Sequence, residues 1–335
     1  MTVYEDATVA VVVTAYREEA FVGRVIETVP PFVDRIYAVD DASPDGCWGV
    51  IQDRAATINR SSDPRTVVPI RHEENRGYGA AVKTGYRRAV ADGVDVVAVM
   101  NGDGQMDPAI LHRIVHPVAS GDADYAKGNR LLSSDDHTQM SRFRFLGNVV
   151  LSGLSKFATG YWQVSDPQNG YTAISADAID RIDLERTTDE YGFLNDILVE
   201  LNLAECHVAD VPMRARYGDE ESSIRLHRFI RRVSLLLLSS FLWRVRRRYV
   251  VRELHPAGLY YGIGVTGLAT GLVQVLAGRH HSGVTGILLG ALVLAMGIER
   301  DAAESADRQT IVERTDQPAP PPTEDRPIVP PLDAE

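Results

Sequence analysis

Between Val96 and Asp107 the chain reads VVAVMNGDGQMD, five apolar residues followed by a cluster of amide, carboxylate and glycine. Val96–Met100 predicts a buried strand with both faces covered. Such a strand delivers Asn101, Gly102, Asp103, Gly104 and Gln105 to its carboxyl end, where open α/β sheets bind ligands. Asp103 and Gln105 lie two apart, so an extended backbone points both side-chain oxygens the same way, and the two glycines leave room for a bulky anion. A carboxylate, an amide oxygen and a diphosphate together suit a hard divalent cation, Mg2+ or Mn2+. The plainer use of the same residues is a strand-to-helix loop in which Asp107-Pro108 starts a helix.

The preceding residues supply the frame. Thr8–Thr14 is a β-branched run, followed by an expected helix from Glu18 to Thr28. Val33–Val39 predicts a second strand ending in Asp40-Asp41-Ala42-Ser43-Pro44-Asp45-Gly46, then a helix from Cys47 to Asn59, a third strand Thr66–Arg71, and a helix from the Asn75–Gly79 loop to Ala91. Strands alternating with helices in this way predict an α/β fold with a parallel, doubly wound sheet. The Gly77-Tyr78-Gly79 loop imitates two phosphate motifs and completes neither. Val82 stands where a dinucleotide fingerprint needs its last glycine, and where a P-loop needs glycine before Lys83-Thr84.

Composition narrows the class. The net charge is −11, and Glu299–Glu335 carries −6 of it. Lys83, Lys127 and Lys156 are the only lysines among 35 basic residues. An acidic, lysine-poor chain resembles proteins of salt-loving archaea, although biased genomic composition also favours arginine. Cys47 and Cys206 are too few for a disulfide framework. Tyr4, Glu5 and Asp6 interrupt any apolar leader, so the catalytic part is expected in the cytoplasm.

Six motifs in register resemble one family. They are Val13-Thr14-Ala15-Tyr16-Arg17-Glu18, Asp40-Asp41-Ala42-Ser43, Asn75-Arg76-Gly77-Tyr78-Gly79-Ala80, Asn101-x-Asp103-x-Gln105, Gly128-Asn129-Arg130 and Asp166-Pro167-Gln168-Asn169-Gly170-Tyr171. Together they resemble the family-2 glycosyltransferases of GT-A fold, in particular the polyisoprenyl-phosphate (dolichyl-phosphate) sugar synthases. Thr14 replaces a usual proline, Arg17 a usual asparagine, and Asn101 the first Asp of the family's D-x-D. The resemblance implies a nucleotide-sugar donor, of GDP-mannose or UDP-glucose type, held by Thr14, Tyr16, Glu18, Asp41, Lys83 and Asn101. It implies a metal at Asp103 and Gln105. Arg130, Arg214 and Arg216 are expected at the acceptor phosphate. Asp196 falls where the family carries an acid near the sugar, the general base if the acceptor is a hydroxyl. Transfer to a hydroxyl of a lipid-linked or polysaccharide acceptor is the second reading, although the processive Q-x-x-R-W run is absent and Leu242-Trp243-Arg244 is the nearest stretch. An inactive nucleotide-sugar-binding membrane protein is the third.

Beyond residues 1–224, the expected catalytic domain, the chain turns apolar and basic. Arg142–Phe157 has apolar residues at helical spacing and is either an interfacial or a core-packing helix. Residues 225–256 mix Leu235–Leu238, Phe241, Leu242 and Trp243 with nine arginines. In an acidic chain beside lipid-soluble segments this predicts a membrane-surface helix and not nucleic-acid binding. Residues 257–298 hold two uncharged stretches, Ala257–Ala277 and the shorter Gly283–Ile298, expected to cross the membrane as a hairpin. Glycines four apart (Gly258/Gly262, Gly267/Gly271, Gly286/Gly290) allow close helix packing and offer a route to a homo-oligomer. The arginines predict that domain and termini face the cytoplasm. Residues 299–335, acidic and Pro-rich, are expected to be a disordered tail, and the hairpin an anchor separable from the domain.

Overall fold

The computed structural model describes residues 7–61, 65–132, 142–190, 192–213, 226–252 and 255–312, with the backbone alone for 142–150 and 226–233. β1 (Val9–Ala15) is buried at all seven positions, as a strand covered on both faces must be. β2 (Arg35–Asp40) and β4 (Val96–Asn101) run parallel on either side of it, and β3 (Thr66–Arg71) lies outside β2. The register sets Thr14 beside Asn101 and Ala15 beside Asp40. Pairing continues one residue further, with Gly102 N–H donating to the Thr14 carbonyl (2.8 Å) and Asp41 N–H to the Ala15 carbonyl (2.9 Å). The carboxyl ends of β1, β2 and β4 are therefore level.

β5 (Tyr125–Asn129), β6 (Thr172–Ser175), β7 (Val208–Pro212) and β8 (Gln309–Ile311) complete an eight-stranded sheet in the order β3-β2-β1-β4-β6-β5-β7-β8. β6 is antiparallel to both neighbours, and every other pairing is parallel. Alternate strand residues feed two cores. α1 (Val22–Thr28), α2 (Cys47–Arg60) and α4 (Leu111–Ala119) cover one face of the sheet, while α3 (Tyr78–Ala91), α6 (Ala176–Arg181) and α7 (Phe193–Leu203) cover the other. α1 starts four residues later than expected. Glu18–Phe21 forms a turn instead, in which the Phe21 (3.0 Å) and Val22 (2.9 Å) N–H groups both donate to the Glu18 carbonyl.

The second half departs further from expectation. In α5 (Arg142–Thr159) the described side chains Leu151, Ser152, Ser155 and Ala158 are buried, so this end of the helix packs into the core. α8 (Leu226–Arg246) runs into a π-helical stretch, 247–252, before α9 (Pro256–Leu276) and α10 (His280–Ser305). The last two are long and apolar enough to cross a membrane, with mean hydropathy 1.4 and 1.8. Gly267 and Gly271 meet Gly283, Gly286 and Gly290 across the hairpin, where a Cβ on Gly271 would lie 2.6 Å from the Ile287 nitrogen. Those glycines pack the two helices against each other. Leucines and valines such as Leu259, Val273, Leu288 and Leu292 point outward instead.

The expected tail beginning at Glu299 also needs correction. α10 continues to Ser305, and the chain then returns to the sheet as β8 beside β7. Asp301 is the reason. Its carboxylate is buried against Arg244 of α8, accepting from Nη1 (2.8 Å) and Nη2 (2.7 Å), and from the Tyr249 (2.5 Å) and Tyr261 (3.0 Å) hydroxyls. Arg244, expected on a membrane surface, is wholly buried and also donates to the Ala158 and Phe157 carbonyls at the end of α5. Gly160 makes room for it. A Cβ there would lie 2.6 Å from Nη1, and the residue's φ is 78°. A third apolar cluster, including Phe157, Leu237, Phe241, Tyr261 and Leu294, joins the hairpin to the domain. Residues 313–335 lie outside the described residues.

Candidate active site

A cavity of about 510 Å3 lies over the level ends of β1, β2 and β4, at the switch point where the chain crosses from one side of β1 to the other. Thr14, Tyr16, Glu18, Asp41, Asn101 and Asp103 all line it, together with Asn75–Tyr78, Ala81, Gly102 and Glu190. Six of the expected site residues thus converge. Among the described lining residues Arg76 is the one cation against four carboxylates, so an entering diphosphate needs positive charge brought with it.

Each strand end shapes its side chain differently. Arg17 (φ 62°) and Ala42 (φ 57°) both take left-handed conformations beside the cavity. The Ser43 hydroxyl accepts from the Arg17 N–H (3.1 Å), and the Arg17 guanidinium lies 5.3 Å from the centre of the Tyr16 ring. Asp41 is buried and holds the next wall in place. Oδ1 accepts from the Arg76 N–H (2.9 Å) and faces His72 Nδ1 (2.7 Å), and Oδ2 accepts from the Gly77 N–H (2.7 Å). Gly77 has φ 98°, and a Cβ there would lie 2.6 Å from the Asp189 carbonyl oxygen. Only glycine lets these two segments touch.

At the β4 end the expected pair of ligands does not form. Residues 102–105 turn, with Gly104 at φ 72°, and the Gln105 N–H donates to Asp103 Oδ1 (2.9 Å). The Gln105 side chain is exposed and does not line the cavity, whereas Asn101 does. Asn101 Oδ1 is buried with no hydrogen-bond partner among the described residues. Asn101 Oδ1 and the Asp103 carboxylate are hard oxygen donors of the kind Mg2+ or Mn2+ takes. Among the described residues no group of three or more His, Cys, Asp or Glu is placed to hold a metal. Two protein oxygens of this kind suit a hard cation that takes its remaining ligands from elsewhere.

Other expected residues lie elsewhere. Lys83 is buried behind the wall, donating to the Thr187 carbonyl (2.9 Å) and pairing with Asp189, so it braces a loop and does not line the cavity. Arg130 forms a two-pronged fork with Asp166, Nε to Oδ2 at 2.7 Å and Nη2 to Oδ1 at 2.8 Å. Burial opposes ionisation of Asp166, but Arg130 and Lys127 outweigh it and hold the carboxyl below its usual range. Arg130 and the Asp166–Gly170 loop do not line the cavity, although Gly170 packs beside Asn101, which does. Asp196 does not line the cavity; it accepts from the Thr188 N–H (3.0 Å) and the Ser240 hydroxyl (3.1 Å). Burial raises its pKa against the pull of these two donors. Arg214 and Arg216 fall outside the described residues. The 187–190 wall was not anticipated. Its nearest sequence signal was the polar run Thr187-Thr188-Asp189-Glu190 before a helix start, which says nothing about α3 lying opposite.

Comparison with known proteins agrees with this geometry. A UDP-N-acetylglucosamine–dolichyl-phosphate N-acetylglucosaminyltransferase of Methanococcus voltae is 25% identical over 221 residues, covering 64% of this chain and 88% of that protein. A polyprenol monophosphomannose synthase of Mycolicibacterium smegmatis is 29% identical over 187 residues, covering 55% and 67%. Among solved structures, glucosyl-3-phosphoglycerate synthase from Mycobacterium tuberculosis, in complex with Mn2+, UDP and glucosyl-3-phosphoglycerate, superposes with a TM-score of 0.50 at 19% identity, over 71% of this chain and 80% of that one. That likeness establishes the fold. The model of the family described as Glycosyl transferase family 2 matches residues 10–183, more than half of the chain, with all but the first residue of β1 and the whole of β2 to β6. The chain belongs to glycosyl transferase family 2, and it is a glycosyltransferase.

Proposed function

We propose that this enzyme transfers a hexose from a nucleoside-diphosphate sugar to a polyisoprenyl phosphate at the cytoplasmic face of a membrane. The observation that carries the reading is the β4 end, where Asp103 and Asn101, whose buried Oδ1 has no hydrogen-bond partner among the described residues, line an acidic cavity of nucleotide size. The named activities of the two relatives, both on polyprenyl-type lipids, support the acceptor class.

Tyr16, with Glu18 and the Asp41-braced loop, receives the nucleotide, the ring as a stacking surface and Glu18 as an acceptor for base or ribose donors. Asp103 and Asn101 would hold Mg2+ or Mn2+, which when bound would offset the charge developing on the leaving group. Arg130, held in one orientation by Asp166, and Arg216 with Arg214 receive the acceptor phosphate, since arginine suits two-pronged phosphate contacts. A phosphate monoester has its second pKa at about 6 and is already ionised at neutral pH. It needs placement and no base, and in-line attack inverts the anomeric centre.

α9 and α10 span the membrane. Their outward leucines and valines suit lipid, and both outer ends join the domain, through the 247–252 turn before α9 and through Asp301 and β8 after α10. In this reading domain and flanks share one side, and the arginine excess of the 225–256 stretch supports the cytoplasmic one.

The test incubates membranes carrying the full chain with a panel of labelled nucleotide sugars and extracts the lipid. Label in the lipid fraction with one donor, abolished by chelator and by Asp103→Asn, is the expected result. No lipid label from any donor, or undiminished turnover in excess chelator, contradicts the reading.

A further inference from the structure

Glu190 forms one side of the cavity, and the segment that carries it is held from three directions. From α3, the Ala80 N–H donates to the Asp189 carbonyl (3.1 Å) and Lys83 grips Thr187 and Asp189. From α7, Asp196 Oδ2 accepts from the Thr188 N–H (3.0 Å). From α8, the Ser240 hydroxyl donates to the other oxygen of the same carboxylate, Oδ1 (3.1 Å). Two more contacts tie this region to α8. Leu236 lies against Gly192, where a Cβ would come within 2.9 Å of it, and the Arg186 guanidinium sits 3.3 Å from the centre of the Trp243 ring. One helical turn on, Arg244 locks α8 to the hairpin.

We propose that Asp196 is a positioning residue, a bridge through which the seating of α8 fixes the wall that Thr188–Glu190 presents to the donor. The inference rests on the glycosyltransferase reading of the cavity. A carboxylate that accepts from two elements, one oxygen each, constrains both at once. Two hydrogen bonds to an ionised acceptor hold better than neutral ones. Asp196 does not line the cavity, so its effect reaches the donor through Thr188 and Glu190. The membrane hairpin, α8 and the donor wall then form one continuous mechanical path, and the enzyme senses through it how α8 sits at the lipid surface.

The experiment is steady-state kinetics of the full chain in membranes, with saturating lipid phosphate and the donor that the wild type uses varied. Variants are Asp196→Asn, Asp196→Ala and Ser240→Ala. Asparagine still accepts from the Thr188 N–H, and the Ser240 hydroxyl turns to accept from its amide, so Asp196→Asn keeps kcat within about threefold of wild type. Asp196→Ala raises donor KM by about tenfold, the order of one lost hydrogen bond to a charged group, with a smaller change in kcat. Ser240→Ala, which touches no substrate, raises donor KM by about threefold, the order of one neutral hydrogen bond. Should Asp196→Ala not fold, as thermal unfolding would reveal, the other two variants carry the test. A fall in kcat of about 10² to 10⁴ in Asp196→Asn at unchanged KM makes Asp196 a general base and overturns the inference. So does a donor KM unchanged in both Ser240→Ala and Asp196→Ala. If the wild type itself transfers nothing, the failure belongs to the proposed function and not to the bridge.

Discussion

Two arginine–aspartate forks have nearly equal geometry and opposite surroundings. Arg130 meets Asp166 at 2.7 and 2.8 Å, and Arg244 meets Asp301 at 2.8 and 2.7 Å. The Arg130 side chain is 28% exposed and that of Arg244 is 0%. Around Arg244 two carbonyls and two tyrosine hydroxyls complete the hydrogen bonding, and apolar side chains close the rest. That pair is a joint between domain and hairpin. Arg130 keeps a face to solvent, so its fork fixes orientation while leaving part of the guanidinium exposed. Identical chemistry gives a structural lock where water is excluded and, on the proposed function, a phosphate contact where it is not.

The largest effect is expected from breaking the buried joint. Asp301→Ala leaves Arg244 charged and unpaired in the interior and should lower the unfolding free energy by about 3–5 kcal/mol, read from urea unfolding in detergent. Ending the chain after Val251 removes Asp301 and β8 together. The anchor then ceases to be separable, and the truncated chain should fail to bind nucleotide because it does not fold. A soluble, cooperatively unfolding fragment that binds UDP or GDP would show that the two regions are independent after all.

Arg130→Ala should cost less, about 1–3 kcal/mol, because water reaches the vacated carboxylate. Its signature is the pH dependence. Asp166 has its folded pKa lowered, so its contribution to stability is present above the ordinary carboxylate value and is lost as pH falls through the lowered one. Without Arg130 that acid-side loss should shrink, which unfolding curves taken across the acid range will measure. An unchanged acid profile would mean that Lys127 or the backbone, and not the fork, holds Asp166 ionised.

Arg17→Asn is the smallest change. Asparagine tolerates the left-handed backbone that Arg17 adopts at φ 62°, and the gain should be up to about 1 kcal/mol. The substitution also uncovers the Tyr16 ring. Donor KM should therefore shift without loss of stability. A destabilised variant would mean that the guanidinium–ring contact outweighs the backbone strain.

What could be read in the sequence follows the range of the interactions. β1 to β4 are announced by short β-branched runs and local helix patterns, and their ends put Thr14, Tyr16, Glu18, Asp41, Asn101 and Asp103 around one cavity. Gln105 misled because a single glycine, Gly104, turns the backbone that was read as extended. Lys83 and Asp196 misled for another reason: their partners, Thr187 to Asp189 and Ser240, lie on segments whose packing no local pattern encodes. The acidic stretch after Glu299 looks solvated by composition. One of its carboxylates instead answers a buried arginine 57 residues earlier, and β8, three residues long, is too short to announce itself.

The central claim is the acceptor. Phosphorus NMR of the extracted lipid, before and after incubation with donor, tests it most directly. Glycosylating a phosphate turns a monoester into a diester and removes the ionisation near pH 6, so the product signal should no longer move with pH through that range. A glycosylated lipid whose phosphorus signal still titrates near pH 6 would carry its sugar on a hydroxyl and contradict the account.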